Sequence, residues 1–475
     1  MSDLNKLTIK EVADGLRSKK FSSEDVMKDC LARIDERNGD LNAFVTVDSD
    51  GALEGARLAD KRLAAGEDDG VLMGVPMALK DLFNTAGVRT TCCSPGLKEF
   101  VPPYNATVVD RLSDAGAVMV GKTNMDEFAC GASCEYGCFG AAKNPHDLTK
   151  VAGGSSGGSV VAVADDMSIF ALGTDTGGSI RQPSSFCGTY GLKVTYGRVS
   201  RSGVTAFASS WDTIGPIGKS VEDISYVLQA IAGQDRRDMT TPPVKVPDYT
   251  GFLGKGVKGM KIGLPKEYFG EGVEKETRDV VMEAVGRLEK AGAEVVEVSL
   301  PMTKYAVAVY YVCAPAELSA NMERYDGIRY GSLPSKDGED LVDHYFKQRG
   351  EGFGDEVKRR IMIGTYVLSA GYMDAYYKHA MKVRTLIIKD FNKAFEKVDV
   401  LVGPVSPFPA FGIGDKAEDP VAMYTADSLT IPASCAGVPS LACPAGVSAD
   451  GLPIGLQIIA PQFEEGRCLQ VGEMV

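Results

Sequence analysis

The sequence predicts an α/β protein: a single large domain on a mixed central β-sheet flanked by helices. Three observations predict it. Short apolar runs alternate with amphipathic helical patterns, as in NATVVDRLSDAGAVMVGK and across residues 258–300. Glycine-rich turns punctuate the apolar runs, as strand-to-helix corners require. The 475 residues, 44% hydrophobic and 24% charged, supply ample material for a large core, and no internal repeat divides them.

Residues 1–68 read as an N-terminal helical arm. Thr8 with Glu11 has the spacing of a capping box, Ser22 or Ser23 opens a second helix through Val26, Cys30, Leu31 and Ile34, and ALEGARLADKRLA gives a third. Residues 69–302 read as the core. VLMGVPMALKDLF holds a short strand ending at Lys80, and AVMVGK is a strand after a helix. VVAVA followed by SIFALGTDTGGS is a buried helix, a strand and a glycine turn. Residues 258–300 form a strand–helix–strand unit. Residues 303–395 read as almost wholly helical, a section placed to cap the sheet. Residues 396–475 return to closing strands in VDVLVGPVSP, PSLACPAGV and LPIGLQIIAP. Residues 233–250 read as a surface connection.

Net charge is -13 with a sequence pI near 5.0, which argues against broad binding of nucleic acid by this chain itself. The N-terminal stretch is polar and amphipathic, unlike a signal peptide, and no apolar run is long enough to span a bilayer. Eleven cysteines without an export signal fit reduced thiols and a cytoplasmic location. Cys130, Cys134 and Cys138 recur every four residues, which allows a metal site or simply small buried side chains at a packed loop.

A hydrolytic nucleophile needs a base in reach. Only His146, His344 and His379 exist, none in a glycine-rich or strand-end setting, and no GxSxG elbow is present. A buried lysine can serve instead, because burial disfavours the ammonium. Lys80 follows the apolar run MGVPMAL; the alternative is a lysine paired with Asp81 or a distant carboxylate. In GTDTGGSIRQP, Gly177 and Gly178 allow successive N–H groups to face one cavity, with Ser179 directly after. That turn suits an oxyanion, a bound anion or a structural role. GGSSGGS at 153–159 has linker composition, but its flanks place it inside a folded unit.

Together MALKDLF, GGSSGGS and GTDTGGSIRQPSSFCGTYGLK resemble the amidase signature family, in order and in spacing. The resemblance implies the amidase signature fold and a catalytic triad of Lys80, Ser155 and Ser179, with a cis bond between Gly154 and Ser155. It implies backbone N–H groups of Thr176, Gly177, Gly178 and Ser179 as the oxyanion hole, with Ser156 and Ser159 as hydrogen-bonding supports. Further stretches, among them GKTNMDEFACG, YYVCAPAELSANMERYDGIRYG and FGDEVKRRIMIGTYVLSAGYMDAYY, are similar to the tRNA-dependent amidotransferase branch of that family. This implies glutamine as amide substrate, and ammonia passed to a B subunit that binds tRNA and uses ATP and Mg²⁺, with a small C subunit completing a heterotrimer. No cofactor and no metal are implied in this chain. The substrate pocket implied is Tyr310, Arg359 and Asp427, with a register uncertain by one against Tyr311 and Arg360. Alternatives are a solvated helix face for the arginines and a helix cap for Asp427. Trp211 departs from the smaller apolar residue usual at its place.

Overall fold

The computed structural model describes residues 3–68, 70–331, 333 and 340–475. Its strands are β1 (Phe44–Val47), β2 (Pro76–Lys80), β3 (Val118–Thr123), β4 (Phe170–Asp175), β5 (Tyr190–Lys193), β6 (Thr213–Gly218), β7 (Lys261–Pro265), β8 (Glu294–Val298), β9 (Val400–Pro404), β10 (Ser440–Val447) and β11 (Pro453–Ile459). They form one eleven-stranded sheet in the order β1-β3-β2-β4-β6-β5-β10-β11-β9-β7-β8. β2 is parallel to β3 and β4, and β7 is parallel to β8 and β9, while the remaining pairs are antiparallel. The sheet is therefore mixed, as predicted.

The parallel group β3-β2-β4 brings its carboxyl ends to one edge, the usual place for chemistry in parallel sheets. Lys80 ends β2 and Asp175 ends β4. Strand alternation decides which face each side chain takes. Met77 and Leu79 enter the larger apolar cluster, while Ala78 enters a second cluster with the helix Gly157–Ala164. Lys80, two residues on from Ala78, takes the face of that helix. The helix is apolar nearly all round and buried, as the run GGSVVAVA requires. Its Gly158 has no room for a side chain: a Cβ would lie 2.5 Å from the Asn124 nitrogen.

The arm contains the expected helices. Thr8 and Glu11 form the capping box of Ile9–Arg17, and Ser22 with Asp25 does the same for Ser23–Leu41; Ser49–Ala64 follows. One correction falls here. The arm is not wholly helical, because Asn42 stops the second helix in the left-handed region (φ 53°) and FVTV then pairs with β3 as the sheet's edge. Residues 303–395 hold the helices Ala306–Met322, Leu341–Glu351, Asp355–Leu368 and Tyr377–Phe395. A last helix spans Glu465–Gly472.

Candidate active site

Lys80 is fully buried, and its Nζ donates to three hydroxyls at 2.9 Å each: Ser155 Oγ, Ser156 Oγ and Thr174 Oγ1. It makes no ion pair with Asp81, whose carboxylate instead accepts the N–H and hydroxyl of Thr91. Burial pushes the Lys80 ammonium down from 10.5 to about 8, against the pull of Asp126, Asp175 and Asp212. An amine whose hydrogen-bond partners among the described residues are neutral hydroxyls is poised to lose its proton near neutral pH.

The peptide bond Gly154–Ser155 is cis. Its surroundings define the GGSSGGS loop. Gln182 Oε1 accepts the Gly154 N–H at 3.0 Å, while its Nε2 donates to the Ala132 carbonyl at 2.7 Å. Asp126 accepts the N–H groups of Cys134, Glu135 and Tyr136 at 2.9, 3.1 and 3.2 Å, folding that loop over Gly154. A Cβ at Gly154 would stand 2.1 Å from Asp126 Oδ2. GGSSGGS is thus a packed loop, not a linker. Ser156 donates to the Thr174 carbonyl at 3.1 Å, and Ser159 bonds Thr123 and Leu172, so both brace the loop against β3 and β4.

The second glycine turn is tied to the first: the Ser156 N–H donates to the Ser179 carbonyl at 3.1 Å. Beneath it lies a fully buried ion pair. Arg181 donates Nε to Asp175 Oδ2 and Nη2 to Asp175 Oδ1, both at 2.9 Å, and reaches the Thr430 carbonyl and Ser434 hydroxyl at the same distance. Burial favours the protonated acid, but Arg181 overrides it and holds the Asp175 carboxyl below its ordinary value. Asp175 Oδ2 also receives the Ile180 N–H, Thr430 donates to the Gly177 carbonyl, and Asp212 accepts the Thr176 hydroxyl at 2.7 Å. Among the described residues, the N–H groups of residues 176–179 meet no protein acceptor. Four such dipoles beside Ser179 suit a negatively charged oxygen.

Two of the predicted pocket residues, Tyr310 and Asp427, lie against this turn. A Cβ at Gly177 would touch the Tyr310 ring at 2.9 Å, and one at Gly178 would lie 2.9 Å from Asp427 Oδ1. Tyr310 is held edge-on by Trp211 (ring centroids 5.5 Å apart) and Tyr311 (5.0 Å). Asp427 does not cap a helix with its side chain; it is buried, its Oδ1 has no partner among the described residues, and burial pushes its carboxyl up to about 8. The two arginines part company. Arg360 is enclosed by Tyr311, Tyr424 and Phe207 and bonded to Glu356 at 2.8 Å. Arg359 also pairs with Glu356, but its side chain is 39% exposed. A cavity of about 190 Å³ opens beside the turn, lined by Thr174, Thr176, Phe207, Asp212 and Ala129 among others.

His146 sits in a turn with Nε2 3.1 Å from the Cys187 carbonyl. Cys130 and Cys134 are buried and Cys138 is exposed, and no group of three or more potential metal ligands is found among the described residues. Sequence reasoning missed Asp126, Gln182, Asp212 and the Asp175–Arg181 pair. The last had a visible signal, two opposite charges flanking a glycine turn within one short motif.

Comparison with known proteins agrees with this geometry. The family described as Amidase matches residues 25–469. The chain is 51% identical over 469 residues to the A subunit of the glutamyl-tRNA(Gln) amidotransferase from Thermoanaerobacter pseudethanolicus, covering 99% of this chain and 96% of that one. It is 54% identical over 464 residues to the counterpart from Heliobacterium modesticaldum, covering 98% and 95%. The crystal structure of the corresponding Thermotoga maritima protein superposes with a TM-score of 0.82 at 40% identity, covering 99% of this chain and 94% of that chain. The peptide amidase of Stenotrophomonas maltophilia superposes with a TM-score of 0.83 at 30% identity, covering 98% and 96%. The chain belongs to the amidase signature family.

Proposed function

We propose that this chain is the glutaminase subunit of a tRNA-dependent amidotransferase. The observation that carries the reading is the buried Lys80 amine, bonded to the Ser155 hydroxyl at the edge where two glycine turns meet. Similarity to the glutamyl-tRNA(Gln) amidotransferase relatives over nearly the whole chain favours this over a stand-alone amidase.

Neutral Lys80 draws a proton from Ser155, which draws one from Ser179. The Ser179 oxygen attacks the glutamine side-chain carbonyl, and the N–H groups of Thr176, Gly177, Gly178 and Ser179 receive the oxyanion. Collapse breaks the C–N bond as Ser155 protonates the departing nitrogen, releasing ammonia and leaving a glutamyl ester on Ser179. Water, activated by the same relay, hydrolyses that ester to glutamate and restores the Ser179 hydroxyl.

Tyr310, Arg359 and Asp427 form the glutamine pocket. Arg359 is the arginine with an open face for the α-carboxylate, while Arg360 packs within the aromatic wall. The unpartnered, buried oxygen of Asp427 suits the α-ammonium, whose charge would favour the ionised carboxylate. Ammonia then serves a B subunit that binds tRNA and uses ATP and Mg²⁺, with a C subunit joining the two, in the cytoplasm. This chain carries no cofactor of its own in the reading. It is one domain, 1–475, in four sections: the arm 1–68, the core 69–302, the helical section 303–395 and the closing strands 396–475.

The test is to purify the chain with any co-eluting proteins and assay glutamine hydrolysis with and without ATP and mischarged tRNA. Turnover that rises with both supports the reading; a preference for other small amides, indifferent to both, refutes it.

A further inference from the structure

The catalytic loop and the glutamine pocket are joined by one short turn, Asp126–Ala129. Its backbone is unusual: Phe128 and Ala129 sit in the left-handed region at φ 48° and 62°. Asp126 organises the loop over Gly154, as described above. The next residue, Glu127, turns the other way. It is buried (1% exposed), and its Oε2 accepts the N–H of Gly354 at 2.8 Å. Its Oε1 accepts the Ser94 hydroxyl at 2.5 Å, and Ser94 Oγ also lies 3.0 Å from the Gly352 carbonyl.

Gly354 is the N-cap of the helix Asp355–Leu368, and it has no side chain to cap with. A Cβ there would stand 2.5 Å from Glu127 Oε2. The cap is therefore supplied from outside the helix by a carboxyl group, at the end where the helix dipole favours negative charge. Phe128 reinforces the joint by packing on Phe353 (centroids 5.7 Å apart) and Tyr325 (4.9 Å). Glu356 lies in the first turn of the same helix, and Arg359 and Arg360 follow one turn in.

We propose that Glu127 is a positioning residue for glutamine: its carboxyl fixes the start of the helix Asp355–Leu368 and thereby the placement of Arg359. This rests on the glutaminase reading. The clamp works with the acid ionised or neutral. A neutral group at Oε1 can donate to Ser94 while the Ser94 hydroxyl turns to the Gly352 carbonyl. Burial pushes the Glu127 carboxyl up to about 7, so both forms occur near neutrality. An amide reproduces the neutral form: it accepts from Gly354 and donates to Ser94.

The experiment uses the full chain, with any co-purifying subunits, and three readouts. These are glutamine kinetics, hydrolysis of a small amide lacking an α-carboxylate (propionamide), and labelling of Ser179 by a fluorophosphonate. Glu127→Ala should raise KM for glutamine roughly tenfold with kcat nearly unchanged. Propionamide turnover and labelling should hold, and Glu127→Gln should restore the wild-type KM. Ser94→Ala, which removes one of the two bonds, should raise KM about threefold; it stands in if Glu127→Ala does not fold. An unchanged KM in Glu127→Ala and Ser94→Ala overturns the proposal. So does a parallel fall in labelling and propionamide turnover, which would mean that Glu127 supports the catalytic loop instead. Wild-type chain that labels at Ser179 yet ignores glutamine would overturn the glutaminase reading itself, a distinct result.

Discussion

Lys80 and Ser155 lie 75 residues apart in sequence, yet the Lys80 amine donates to the Ser155 hydroxyl at 2.9 Å in a fully buried site. The strand β2 delivers the amine and the packed GGSSGGS loop delivers the hydroxyl. Among the described residues no carboxylate bonds the amine directly, so the contact can run as a proton relay.

Replacing Lys80 with Met should keep the volume of the side chain and remove the base. Turnover should fall by about a thousandfold or more, in the range seen when a triad member is lost. Fluorophosphonate labelling of Ser179 should fall with it. Steady-state kinetics with a circular dichroism control check both.

The pH dependence follows from the same amine. In the proposed mechanism its neutral form is the active one, and burial places its titration near 8. The ratio kcat/KM should therefore rise with pH and level off above about 8, on a limb absent at the ordinary lysine value. Stability has a definite sign too. Between about 8 and 10.5 the unfolded chain binds the lysine proton and the folded chain does not, so Lys80 adds stability as pH rises through that window. Denaturant midpoints of wild type and Lys80→Met across pH 7–10 measure it.

Arg359→Ala should raise KM for glutamine by ten- to a hundredfold, about 1.4–2.8 kcal/mol of lost binding, and leave propionamide turnover close to wild type. Asp427→Asn should act in the same direction through the α-ammonium. The sequence holds a single tryptophan, Trp211, packed against Tyr310 with the Arg384 guanidinium 3.8 Å above its ring. Its fluorescence should respond to glutamine in Ser179→Ala and not in the Ser179→Ala/Arg359→Ala double variant.

Arg181→Met leaves Asp175 as an unpaired buried charge beneath the second glycine turn. Loss of one partner of such a pair costs about 3–5 kcal/mol. Urea unfolding should show a lowered midpoint, and the double variant Asp175→Leu/Arg181→Met should recover part of it.

The candidate site was legible in the sequence because the chemistry proposed for it is local in motifs. A lysine closing an apolar strand, a glycine–serine loop and a second glycine turn each have a spacing that chemistry explains. What holds them was less legible. Asp126 and Gln182 act through backbone groups more than five residues away, and no periodicity marks such contacts. In the fold, the alternating strand–helix units were readable, and the Thr8–Glu11 capping box was readable to the residue, while the start of the second helix was legible only as Ser22 or Ser23. β1, β5 and β6 were not. FVTV is four residues between two longer helices, and YGLK and TIGPIG are short, glycine-containing strands whose pairing comes from neighbours far along the chain.

The most direct measurement is ammonia and glutamate release from glutamine by the purified chain with its co-eluting proteins, for wild type and Ser179→Ala. The account predicts equimolar glutamate and ammonia from wild type and background release from Ser179→Ala. Release that persists in Ser179→Ala contradicts it.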